Sequence, residues 1–164
     1  MNVRAAEGAD VEPLGRLWWA GWHDAHAEIL PPELTRLRTV ENFTERLRAA
    51  LSAVRTIGPP GDPIGFHYVK GEELYQFYLA AEVRGSGVAG ALIADAEARM
   101  SARGVETAWL ACAIGNLRGA RFYEKSGWRL AATASVLTET SAGPYPLDIW
   151  RYEKRLTLSS GRSR

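Results

Sequence analysis

The 164-residue chain carries 46% hydrophobic and 24% charged residues, which suits a compact core and excludes a disordered composition. Twenty basic residues against 19 acidic ones leave a net charge of +1, with no global pull toward nucleic acid or an anionic membrane. The one cysteine, Cys112, excludes an internal disulfide and a cysteine-based metal cluster, and no apolar run approaches the roughly 20 residues of a membrane span.

Residues 2–6 read as a short strand. Asp10 follows as a helix N-cap, with Pro13 in the first turn, where its missing N–H is harmless. Val11, Leu14, Leu17, Trp18 and Trp22 recur at helical spacing and should face the core, and Pro31-Pro32 ends or bends this helix. A second helix is expected from about Val40 to Leu51, with Phe43, Leu47 and Leu51 on one face. Three strands follow as an antiparallel meander: Ala53–Ile57, Ile64–Val69 and Leu74–Leu79, separated by Gly58–Pro63 and by Lys70-Gly71-Glu72. Ala89, Leu92, Ile93, Ala96 and Met100 then mark an amphipathic helix stopped by Gly104. Val105–Ala113 is strand-like, Asn116 to about Ser126 is a short helix, and Leu130–Thr138 and Pro146–Leu156 are strands around Ser141–Pro144. The order β, α, α, β, β, β, α, β, α, β, β implies an α/β sandwich on a mixed sheet. It fills residues 1–156 as one domain, with a polar tail at 157–164. The first residues run into an acidic segment with no apolar signal core, so the expected location is cytoplasmic.

The chemistry starts at Arg84-Gly85-Ser86-Gly87-Val88-Ala89, which follows a strand and opens a helix. Glycines let backbone approach a ligand, and the unpaired N–H groups of a first helical turn bind anionic oxygens. Arg84 adds positive charge. The pattern implies diphosphate binding; the plainer alternative is a glycine-rich helix start with no ligand. A dinucleotide fingerprint also fits Gly85-Ser86-Gly87-Val88-Ala89-Gly90 literally, but five residues separate strand from glycine, and the next strand ends in Leu-Ala-Cys-Ala with no acidic ribose partner.

A second motif, Asn116 to Trp128, places Asn116, Ala120 and Tyr123 on one helix face. An amide and a phenol there can point into one groove, or Tyr123 can simply pack in the core. Together the two motifs resemble those of the GCN5-related N-acetyltransferase (GNAT) family. Arg84–Ala89 is similar to its (Gln/Arg)-x-x-Gly-x-(Gly/Ala), and Asn116–Trp128 to its Asn-x-x-Ala-x-x-Phe-Tyr-x-x-x-Gly-Phe, with Gly119-Ala120 at the small position and Trp128 in place of Phe. The likeness extends over about residues 2–156.

The resemblance implies a mostly antiparallel sheet of six to seven strands, splayed at its centre by a bulge and flanked by about four helices. It implies acetyl-coenzyme A as cofactor: pyrophosphate on the N–H groups of Gly85, Ser86, Gly87, Val88 and Ala89, and pantetheine along Leu79-Ala80-Ala81 in the manner of an added strand. Asn116 would contact the cofactor and Tyr123 would sit by its sulfur. Ala81 stands where the family often has proline. Family members are often homodimers, frequently through the last strands.

The implied reaction is direct transfer to a primary amine of a small molecule or a protein. Tyr123 is the candidate acid for the leaving thiolate, and Glu73, eleven residues before Arg84, the candidate base. Its alternative is a turn glutamate in solvent. Tyr75 shares a strand face with Glu73 and would orient substrate or water. Trp19, His23 and His26 are acceptor-pocket candidates on the first helix; the plainer reading leaves the histidines in solvent. No third ligand supports a zinc site at His23 and His26. Two other readings stay open: a non-catalytic coenzyme A-binding module and a nucleotide-dependent oxidoreductase.

Overall fold

The computed structural model describes residues 2–157; the rest of the polar tail expected at 157–164 lies outside them. Seven strands form one sheet: β1 (Val3–Ala5), β2 (Val54–Ile57), β3 (Gly65–Lys70), β4 (Glu73–Leu79), β5 (Thr107–Ala113), β6 (Arg129–Thr140) and β7 (Gly143–Arg155). Their spatial order is β1-β2-β3-β4-β5-β7-β6, antiparallel at every step except β4–β5. The helices are α1 (Val11–His26), α2 (Pro32–Leu37), α3 (Val40–Ala49), α4 (Val88–Ala102) and α5 (Leu117–Lys125).

Two cores cover the two faces of the sheet. On one face Val11, Leu14, Trp18 and Trp22 of α1 pack with Phe43 and Leu47 of α3 against Phe66 of β3. Trp18 is fully buried, 4.6 Å from Phe43 and 5.5 Å from Phe66 between ring centroids. On the other face Ile93, Ala96 and Met100 of α4 pack with Leu110, Cys112 and Tyr152.

Three local outcomes depart from the sequence expectation. Pro31-Pro32 opens α2 where a stop or bend was expected: Pro32 takes the first helical position, where its fixed φ is preorganised, and Leu34 is buried beneath it. Five α-helices therefore flank the sheet instead of about four. Asp10 stands at the N-cap of α1, yet its side chain makes no cap bond there. It is fully buried and accepts from Arg4 Nη1 and Nη2 (2.8 and 3.0 Å) and from the N–H groups of Glu7 (2.8 Å) and Gly61 (3.0 Å). The Arg4 guanidinium and these donors outweigh burial and hold the carboxyl down to about 2. Last, the β6–β7 turn is only Ser141-Ala142, and Pro144 and Pro146 sit inside β7. β5 pairs β7 only as far as Ile149, so the edge beside both prolines is free and no ladder donor is lost.

The feature that makes room for a site lies in β4. Tyr68 pairs with Gln76 and Val69 with Leu74, which leaves Tyr75 as an extra residue. Such a bulge resets strand alternation. Leu74 and Phe77, three apart, accordingly pack on the α4 side, while Tyr78 packs on the α1 side. β4 and β5 pair only at Glu73–Trp109, where Trp109 N–H donates to Glu72 O (3.0 Å). Beyond that vertex the two parallel strands diverge.

Candidate active site

A cavity of about 550 Å³ runs through the gap between β4 and β5, and both cores contribute to its walls. The aromatic rings of α5 wedge the splay. Phe122 stacks on Phe77 of β4 at 5.4 Å, and Tyr123 lies 5.4 Å from Phe122 and 6.4 Å from Phe77. Opposite them, Ala111, Cys112 and Ala113 form the β5 wall.

At one end the walls are backbone. Gly85 (φ +79°) and Gly87 (φ +89°) occupy the left-handed region, and the space where a Cβ would project is open at both. Gly87 caps α4, and the N–H groups of Gly87, Val88, Ala89 and Gly90 have no acceptor among the described residues. That is an anion cradle at a helix N-terminus. Ser86 contributes less, because its N–H and hydroxyl both go back to Val83 O. Arg84 and Arg118 line the cavity mouth, where both donate to Asp24 Oδ2 (3.1 and 2.7 Å). Ala80 donates its N–H to Ile64 O of the strand side (2.9 Å). By alternation the N–H and C=O of Leu79, which lines the cavity, turn toward the gap. The exposed backbone edge, the two open glycine positions and the unpartnered N–H groups suit a diphosphate on an extended amide-bearing arm.

The middle of the cavity holds the groups suited to proton transfer. Tyr123 lines it, partly buried, and its hydroxyl has no partner among the described residues. Burial, with Cys112 and Tyr78 adding, raises its pKa far above the usual phenol range, so it stays protonated. Glu73 sits half-buried at the vertex of the splay and also lines the cavity. Burial pushes it up to about 7, and the charges of Lys70 and Arg151 only partly oppose this. A carboxylate that gains a proton near neutral pH is matched to general base work. Cys112 lines the same stretch, but burial and the Glu124 charge push its thiol up to about 11, too high for a nucleophile at neutral pH.

The remaining expected site residues separate into two groups. Asn116 lines the cavity, and its Oδ1 caps α5 by accepting from Gly119 N–H (3.1 Å). Tyr75 and His26 also line it. His26 is buried against Trp22, 4.9 Å between rings, not in solvent; burial lowers its pKa to about 4, so the ring is neutral. Ala120 packs into the α4-side core, and Ala80, Ala81, Ser86, Gly87 and Val88 present no side of the cavity wall. Trp19 is 40% exposed, and His23 Nε2 is bonded to Arg38 O (2.7 Å), which ties α1 to the end of α2; neither lines the cavity. Among the described residues no cluster of three potential metal ligands exists, and no helix is long and apolar enough to cross a membrane.

Sequence reasoning missed Tyr78, Thr138 and Glu139, which line the cavity, and Arg38 and Arg46, which stand behind its wall. Tyr78 lies inside the recognised β4 run, and the bulge that turns it toward α1 has no residue signature. The other four come from the C-cap of α2, from α3 and from β6, and only tertiary packing gathers them.

Comparison with known proteins places this geometry. The family model described as acetyltransferase (GNAT) family matches residues 16–128, more than half of the chain. A search of curated proteins finds no match. Among solved structures, a GCN5-related N-acetyltransferase from Rhodopseudomonas palustris superposes with a TM-score of 0.73 at 21% identity, covering 94% of each chain. The PaiA N-acetyltransferase from Thermoplasma acidophilum, solved in complex with coenzyme A, gives 0.65 at 20% identity, covering 94% of this chain and 98% of its own. A ribosomal-protein-alanine N-acetyltransferase from Brucella melitensis gives 0.68 at 19% identity, covering 95% and 100%.

Proposed function

The chain belongs to the acetyltransferase (GNAT) family, and from that premise we propose that it moves an acetyl group from acetyl-coenzyme A directly to a primary amine of a small molecule or a protein. One observation carries the reading: the loop that opens α4, with Gly85 and Ala89 in the wall and unpartnered N–H groups from Gly87 to Gly90, borders the cavity that also holds a protonated Tyr123 and a Glu73 poised near neutrality.

Each residue has a task that follows from its surroundings. The N–H groups of Gly87, Val88 and Ala89 hold the pyrophosphate, and the Leu79 backbone pairs with the pantetheine amides. Asn116 Oδ1 accepts from Gly119 N–H, and its Nδ2, with no partner among the described residues, can donate to the cofactor. When bound, acetyl-coenzyme A supplies a thioester carbonyl as the electrophile.

Glu73 takes the proton of the incoming ammonium, whose ordinary pKa near ~10.4 leaves it charged at neutral pH. Tyr123 keeps its proton on Oη and gives it to the sulfur as that atom leaves. Cys112 stays a thiol, which supports direct transfer over a route through an acyl-cysteine.

The reading is tested by following thiol release from acetyl-coenzyme A over a panel of amines, with cofactor binding measured in parallel by calorimetry. Cofactor binding and amine-dependent thiol release are expected; absence of both overturns the proposal. The PaiA neighbour bound to coenzyme A and the ribosomal-protein-alanine neighbour support the cofactor and the amine acceptor by fold likeness.

A further inference from the structure

Two guanidiniums at the acceptor end of the cavity have no acid to answer them. Arg38 ends α2 and is only 3% exposed. Its Nη2 donates to Thr138 Oγ1 (2.8 Å) and its Nη1 to Asn42 Oδ1 (3.3 Å), while its Nε is buried with no partner. Arg46 lies over the Trp18 ring at 4.5 Å and donates from Nη2 to Tyr75 Oη (2.9 Å). No ion pair among the described residues includes either arginine, or Lys70, which lies over the Tyr75 ring at 4.2 Å. Burial and the neighbouring Arg46 charge lower Arg38 to about 10. A buried cation without a counter-ion is costly, and a fold retains it only where something repays the cost.

The hydroxyls that receive these N–H groups belong to the cavity wall. Thr138 and Tyr75 both line it, and no described residue accepts a hydrogen bond from either hydroxyl. A hydroxyl has one proton to give. When its oxygen already accepts from a guanidinium, that proton points elsewhere and is polarised by the charge behind it. The acceptor end therefore offers two donors backed by positive charge, among apolar and aromatic neighbours such as Trp22, Leu30 and Leu147. The carboxylates in the same cavity, Glu73 and Glu139, can answer an ammonium.

Resting on the acetyl-transfer reading above, we infer that the acceptor is an amino-carboxylate with an apolar body, its carboxylate held by the hydroxyls of Tyr75 and Thr138 and its amine turned toward Glu73. A singly charged carboxylate fits better than a phosphate dianion, because Glu73 and Glu139 face the same space. Transfer would form the N–C amide bond and break the C–S bond: the ammonium gives one proton to Glu73 before attack, Tyr123 gives its proton to the leaving sulfur, and the second nitrogen proton, released once the N–C bond has formed, restores the Tyr123 phenol.

The test separates binding from turnover. Titrate the protein with 3-phenylpropanoate, 3-phenylpropanamide and 3-phenylpropylamine, following tryptophan fluorescence and heat, since Trp22 lines the cavity. The carboxylate should bind at least tenfold tighter than the amide, and the double variant Tyr75→Phe/Thr138→Val should erase that preference. Equal or tighter amide binding, or an unchanged preference in a double variant with a wild-type melting temperature, overturns the inference. If the double variant does not fold, the single Thr138→Val, on the partly exposed β6 edge, should still lower the preference at least threefold, and an unchanged preference there overturns it. With acetyl-coenzyme A present, phenylalanine should then release thiol with a kcat/KM at least tenfold above phenethylamine; the reverse order overturns the inference. Selective carboxylate binding with no thiol release from any amine would leave the anion-reading wall standing and remove the transfer reading instead.

Discussion

The two ends of the cavity are built from different materials. At the glycine end, where the cofactor is proposed to lie, the available groups are backbone: N–H groups left over at the start of α4 and the free edge of β4, exposed because Gly85 and Gly87 carry no side chain. At the acceptor end they are side chains from α1, β4 and β6, with Arg38 and Arg46 of α2 and α3 behind them. Backbone sites depend on conformation and tolerate most side-chain change, whereas side-chain sites depend on identity. The first kind suits a ligand read by charge and an extended backbone, and the second a ligand read by its functional groups.

That contrast can be broken most severely at Gly87. Its φ of +89° is one that a β-branched residue avoids, so valine there would strain the backbone that presents the cradle N–H groups. Gly87→Val should abolish acetyl-coenzyme A binding by calorimetry while the circular dichroism spectrum stays native; normal affinity would remove this loop from the site. Tyr123→Phe keeps the ring packing with Phe77 and Phe122 and deletes the hydroxyl. Turnover should fall about 100-fold, within the range for losing a general acid, with cofactor affinity within about twofold. A variant as active as the parent would leave the thiolate without an identified acid.

Glu73→Gln is expected to lower kcat/KM about tenfold or more and to change its pH dependence. Because the Glu73 carboxyl is pushed up to about 7, the active base form accumulates as pH rises through 7, giving the parent a rising limb there. The glutamine variant should lack that limb. The same shift has a stability consequence of opposite sense. A carboxyl with a folded pKa above its unfolded value favours the folded state at low pH, and that benefit is lost as pH rises through about 7. Glu73→Gln should therefore melt higher than the parent at pH 8–9 and alike at pH 4. A retained limb with unchanged melting would return Glu73 to the role of a solvated turn residue. The smallest expected effect is Ser86→Ala, whose hydroxyl is spent on Val83 O. Cofactor affinity should move by less than about twofold, near the few tenths of a kcal/mol of an ordinary surface change; a large loss would mean the cradle uses side chains after all.

The element order, the Arg84–Ala89 loop and the Asn116–Tyr123 face were legible in the chain, because each rests on short-range rules. Glycine marks left-handed backbone, period 3.6 marks a buried helix face, and an asparagine before a helix marks a cap. Those rules act within a few residues, and they sufficed to mark the loop and the helix face that border the glycine end of the cavity. They did not reveal that Asp10 would take Arg4 instead of capping, that Pro32 would start a helix, or that Tyr75 would be the extra residue of a bulge. Nor did they place Thr138 one hundred residues from the arginine it receives, or bury His26 against Trp22. Those outcomes are decided by burial, by pairing across the sheet, and by charges that meet only once the chain has folded. A buried guanidinium without an acid has no local signature, so the acceptor end of this protein exists only in its tertiary structure.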